Sequence, residues 1–163
     1  MKKGFIVLCL FVANSFANEG KNLLEWNPFD LPFTRGLNLN YERIIGNKNS
    51  LGLNPIYEGI GMPNEWHARI NMTFSHYSKN DYKGFVYSPR LSLFYAELKT
   101  RTKIAKETTL SPSFGFAYRW RFENGITFCI GMGAGPVIEI HRDPELRKDK
   151  LYIFDLESIG FVF

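Results

Sequence analysis

Several short constellations in this 163-residue chain carry residue types that do chemistry. His76-Tyr77-Ser78 sets a base two residues from a hydroxyl. A hydrolase of that kind also needs an acid to orient the histidine, and the sequence places none beside it. His67 and His141, with Glu65, Glu139 and Asp143, are metal-ligand types, but they lack the tight spacing of a zinc site and read as a solvated rim. Gly131, Gly133 and Gly135 imitate a nucleotide loop, yet no helix signal follows and the fingerprint spacing fails. Close packing in a narrow interior accounts for them instead. Lys99, Arg101, Lys103 and Lys106 form a basic segment suited to phosphates or simply to water. The expectation is no enzyme, no metal and no cofactor.

Composition narrows the setting of these residues. The length suits one domain. Aromatics make up 16% of the chain, enough for interfacial girdles on a wall. The formal charge is +4, and without Lys2 and Lys3 it falls to +2, too mild to imply nucleic acid. Of the two cysteines, Cys9 lies in the apolar N-terminal run. Cys129 is then a single thiol, best read as a small residue facing a packed interior.

The elements that position the candidates are strands. Trp66, Ala68, Ile70, Met72 and Phe74 alternate with His67, Arg69, Asn71, Thr73 and Ser75, so one face is apolar and the other polar. Over 110–122, Leu110, Pro112, Phe114, Phe116, Tyr118, Trp120 and Phe122 share a face. Ser111, Ser113, Gly115, Ala117, Arg119 and Arg121 share the other. Weaker alternation runs through 37–42, 51–54, 85–95 and 126–135. Pro55, Pro89, Pro112 and Pro136 each remove a ladder donor, so bulges or strand ends are expected there. Gly46–Asn49, Ser78–Lys83 and Glu123–Gly125 are short polar turns. The connections 59–65, 98–109 and 141–150 are longer and more charged. Short turns on one end and longer loops on the other describe an up-and-down transmembrane barrel. Seven strands follow directly, and Asn22–Phe29 supplies the eighth.

The ends of the chain fit export. Lys2 and Lys3 precede an apolar run from Phe5 to Val12, and Ser15-Phe16-Ala17 offers a small–any–small cleavage pattern. Residues 1–17 are therefore expected to be a cleaved signal peptide, and 18–163 the barrel. The apolar run is well short of the roughly 20 residues a spanning helix needs. Gly160, Phe161 and Phe163 resemble the C-terminal assembly signal of outer-membrane barrels, which implies engagement of the barrel-assembly machinery.

Strict alternation back from Phe163 would turn Asp155 and Glu157 outward into lipid, at a cost of about 2–4 kcal/mol for a mid-bilayer charge and less for acids. A bulge near Ser158–Gly160 is expected to shift the register, leaving Phe154 and Leu156 outward. Glu42, Asp155 and Glu157 would then share an interior polar network with Arg69, Arg90, Arg119 and Arg121.

The stretch Lys21-Asn22-Leu23-Leu24, Asn27-Pro28, Leu37-Asn38-Leu39-Asn40-Tyr41-Glu42-Arg43 and Ser50-Leu51-Gly52-Leu53 resembles the opening of an uncharacterised family of small bacterial outer-membrane barrels. The resemblance covers about the first third of the mature chain and implies the fold without an activity. His76-Tyr77-Ser78 is locally similar to outer-membrane lipid A deacylases, whose motif instead lies near the C-terminus.

The sequence thus points to an eight-stranded antiparallel up-and-down transmembrane β-barrel of the outer membrane. Its interior is filled by side chains, with no open pore, and its role is structural or one of surface interaction. It is expected to be a monomer among outer-membrane lipids, with Lys99, Arg101, Lys103 and Lys106 facing lipopolysaccharide. The alternatives are a lipid-modifying barrel enzyme and a soluble periplasmic lipocalin-like carrier.

Overall fold

The computed structural model describes residues 22–28, 36–59, 64–99, 103–144, 146, 151–155 and 158–163. The expected signal peptide, Arg101 and Glu157 lie outside them. All regular structure is β: β1 (Asn22–Trp26), β2 (Leu37–Ile44), β3 (Asn49–Glu58), β4 (Glu65–Lys79), β5 (Lys83–Lys99), β6 (Ile104–Arg121), β7 (Ile126–Pro136), β8 (Ile138–Arg142), β9 (Leu151–Asp155) and β10 (Ser158–Val162). β8 continues the line of β7, and β9 that of β10, because both segments of each pair contact the same neighbouring strand. Eight antiparallel wall positions result. The wall closes where β1 pairs with β10 and β10 with β7. At the seam, Asn22 and Phe163 exchange two backbone hydrogen bonds of 3.0 and 2.9 Å.

Polarity is inverted relative to a water-soluble domain. Ile70, Met72, Phe74, Phe85, Leu91, Leu93, Phe114, Phe116, Trp120, Phe128, Ile130 and Met132 are exposed on the outside. Glu25, Glu42, Ser50, Asn71, Thr73, Ser88, Ser92, Arg119 and Thr127 are buried within. The outward–inward assignment of residues 66–74, 85–95, 114–122 and 126–134 agrees with the alternation in the sequence. Closure makes this possible, since the wall pairs its own backbone groups and leaves no open edge.

The prolines do not act as expected. Pro55 and Pro89 sit inside strands with one register on both sides, without a bulge. Pro112 also lies within β6, and only Pro136 ends a strand. Register shifts occur instead at Tyr77–Lys79 and at Thr108–Thr109. The anticipated shift near Ser158–Gly160 is absent. Ser158 pairs with Cys129 and Asp155 with Met132, which is one continuous register along β7. Asp155 is the ladder partner of Met132, and its side chain lies outside the described part of the structure. Phe154, expected outward, is buried. The reason is Gly133 opposite it, where an added Cβ would fall 2.1 Å from the Phe154 ring. The ring fills the space that glycine leaves.

The 98–109 connection is also shorter than expected, because β5 runs to Lys99 and β6 starts at Ile104. Lys99 and Lys106 are thus strand residues. At the opposite end, the turn after β4 puts Asp81 and Tyr82 at φ of 61° and 57°. Left-handed backbone is costly for a bulky residue, and burial compensates. The Tyr82 ring packs edge-on against Tyr77 at 5.4 Å and closes the short-turn end.

Gly131 shows how tight the wall is, since a Cβ there would lie 2.4 Å from the Ala117 Cβ and from the Phe116 carbonyl oxygen. Gly131→Val should destabilise the refolded barrel by about 1–3 kcal/mol through overpacking. The outward substitution Ile130→Val should cost far less. Urea titrations of the two variants in detergent provide the check.

Candidate functional site

The interior is built in two layers. The lower one, toward the short turns, centres on Arg119 of β6, which alternation aims inward between Tyr118 and Trp120. Its Nη2 donates to Glu25 Oε2 at 2.8 Å and to Glu42 Oε1 at 3.1 Å. Its Nη1 donates to the Tyr77 hydroxyl, which in turn donates to Glu42 Oε2 at 2.6 Å. Asn40 Nδ2 bridges the carboxylates, at 3.0 Å from Glu25 and 2.9 Å from Glu42. Ser50 Oγ donates to Glu42 at 2.8 Å and Thr127 Oγ1 to Glu25 at 3.3 Å. Both carboxylates and the guanidinium are almost completely buried. The cluster joins β1, β2, β3, β4, β6 and β7. Gly160 makes room for it, because a Cβ there would meet Glu25 Cγ at 2.3 Å. Cys129, opposite Arg119 in the ladder, is buried as a small interior residue.

The upper layer holds Arg69 and Arg90. Arg69 lies over Phe94 and Tyr152, with ring centroids at 5.1 and 4.4 Å, and donates to the Tyr152 hydroxyl. Arg90 lies 4.2 Å from the Phe154 centroid. Two cavities of about 310 Å³ each adjoin these arginines. The short-turn half is filled by side chains, while the long-loop half keeps internal space.

Of the expected interior residues, Glu42 and Arg119 meet directly. Arg69 and Arg90 point inward but rest on aromatic rings. Arg121 lies at the short-turn rim, where Nη1 donates to the Asp81 carbonyl at 3.2 Å. Two central members escaped sequence reading. Glu25 had a signal, its place between outward Leu24 and Trp26. Tyr77 is interior because β4 keeps period two past Ser75.

His76 and Ser78 do not form a base–nucleophile pair. His76 Nδ1 lies 2.7 Å from Asn49 Oδ1, and the Ser78 hydroxyl accepts from the Phe85 N–H at 2.8 Å. Gly160, Phe161 and Phe163 lie at the seam, with Phe161 exposed outward. Lys106 pairs with Glu97 at 3.6 Å, and Glu97 also accepts from Trp66 Nε1 and the Tyr95 hydroxyl at 2.9 and 2.6 Å. Among the described residues, no group of three His, Cys, Asp or Glu side chains could hold a metal. His141 lies 3.6 Å from Asp143, far from His67 in the ladder.

His67 sits at the long-loop mouth between two carboxylates, 3.5 Å from Glu58 and 2.9 Å from Glu65. The hydrogen bond to Glu58 raises the imidazole above its ordinary 6.5, and the same bond lowers Glu58 below 4.5. No protein-family model, curated protein or solved structure matches the chain.

Two outcomes follow from this geometry. Arg119→Met leaves two buried carboxylates side by side and should cost about 3–5 kcal/mol. Adding Glu25→Gln and Glu42→Gln should restore much of that loss, as read by urea titration. For the mouth, a raised histidine stabilises fully below 6.5 and loses its effect as pH rises through its folded value. A lowered glutamate stabilises above 4.5 and loses its effect as pH falls through its own. The stability gap between wild type and Glu58→Gln should therefore be widest between pH 4.5 and 6.5 and narrow at higher pH, where only the pull of Arg69 on Glu58 remains.

Proposed function

We propose that the protein is a small integral barrel of the bacterial outer membrane with a structural or surface-interaction role. The observation that carries this reading is the inverted polarity: an apolar outward band surrounds a buried, ion-paired interior. In water that band would be a large unsatisfied apolar surface, whereas in a bilayer it is the solvated face. Strand length agrees, since about 9–11 residues span a membrane and β4, β5 and β6 are each longer. Tyr57, Trp66 and Tyr95 cluster at one end of the band and Trp120 and Phe128 at the other, as aromatic girdles do. The three short turns share an end with Asn22 and Phe163, as periplasmic turns do in such barrels.

Export by residues 1–17 and assembly through Gly160, Phe161 and Phe163 belong to the same reading, as does a monomer that needs no cofactor. The resemblance of the N-terminal third to small outer-membrane barrels supports it. The basic segment Lys99, Arg101, Lys103 and Lys106, whose strand residues Lys99 and Lys106 lie at the Trp66–Tyr95 end of the wall, would meet lipopolysaccharide phosphates.

Refolded in detergent, the mature chain should migrate faster on a denaturing gel when unboiled than when boiled. Identical migration, together with solubility in the absence of detergent, would favour a water-soluble barrel.

A further inference from the structure

We propose that Arg69 and Arg90 form an oxyanion-binding site inside the barrel, taking the carboxylate or phosphate group of a small molecule admitted from the long-loop end. The inference requires the closed barrel and not the bilayer.

The carboxylates that share this interior have direct partners of their own. Glu25 and Glu42 bind Arg119 in the lower layer, and Glu58 faces His67 at the mouth. The two upper guanidiniums feel Glu58 and Glu42 through charge, but their close contacts are with neutral groups. The Tyr152 hydroxyl accepts from Arg69 and is also within reach of Arg90, so two cations gather around one phenol. Phe94, Tyr152 and Phe154 fix the guanidinium planes by stacking, which orients donors without consuming them.

Donor capacity is left over. Among the described residues, Arg90 Nε is buried without a partner, and so is the Ser92 hydroxyl two residues along the same face. Arg90 and Arg69 both line a cavity of about 310 Å³, whose wall also carries Asn54, Tyr152 and the carboxylates Glu25, Glu42 and Glu58. That volume lies at the small end of the range for ligand sites, about 300–1,000 Å³. An eight-stranded barrel is wide enough to hold one small ligand. The second cavity, lined by His67, Phe94 and Ser92, shares Arg69 and Tyr152 with the first and extends toward the mouth. Paired guanidiniums are the side chains that bind carboxylate and phosphate in a forked geometry.

The test follows arginine Nε–Hε signals of the ¹⁵N-labelled, refolded chain in zwitterionic detergent. Inorganic phosphate and acetate are titrated separately. Saturable movement of the Arg90 signal is expected, and the tighter of the two probes identifies the class of anion. Arg69→Gln, read through Arg90, and Arg90→Gln, read through Arg69, should each weaken binding by about tenfold or more. Arg121→Gln, at the far rim, should leave it unchanged. Each variant is first checked for the heat-shifted band, and if one fails to fold the other decides. Drift without saturation with both probes, or equal affinity in the folded arginine variants, would overturn the proposal.

Discussion

The fold depends on one guanidinium. Arg119 is buried in a closed wall, a position untenable without opposite charge, and it receives that charge from Glu25 and Glu42 on two other strands. Satisfying it fixes the inward register of β1, β2 and β6 at once. Tyr77 and Thr127 extend the constraint to β4 and β7. Once those strands face their polar residues inward, period two leaves the other side no choice, and Phe116, Trp120 and Phe128 turn outward. The apolar band and the ion-paired floor are two readings of one alternation.

Much of this was legible in the sequence, because strand faces are a local property. Arg119 between Tyr118 and Trp120 announces its side without knowledge of its partners. The eight wall positions followed from turn chemistry, and the glycine run 131–135 was correctly read as close packing. Glu42 and Arg119 could be assigned to a shared interior from alternation alone, though not to a direct bond.

What escaped depends on contacts across the barrel. The expected register shift near Ser158–Gly160 weighed one strand in isolation. It missed that Gly133 opposite opens a space for the Phe154 ring, which then stacks under Arg90. The prolines were overweighted, because Pro55 and Pro89 sit within strands whose pairing register runs straight through them. Glu25 was hidden by the shortness of β1, where five residues give a weak period. The upper cavities were invisible too, since the volume left inside a barrel is set by how all eight strands combine.

The central claim is that the outward band faces lipid. The most direct measurement places single spin labels at Ile70, Met72 and Phe74, and at Asn124 in a short turn, in a Cys129→Ser background reconstituted in liposomes. Relaxation by oxygen is compared with relaxation by an aqueous nickel chelate. The account predicts strong oxygen and weak nickel effects at Ile70, Met72 and Phe74, with the reverse at Asn124. Strong nickel access at all four positions would contradict it and leave a barrel that lives in water.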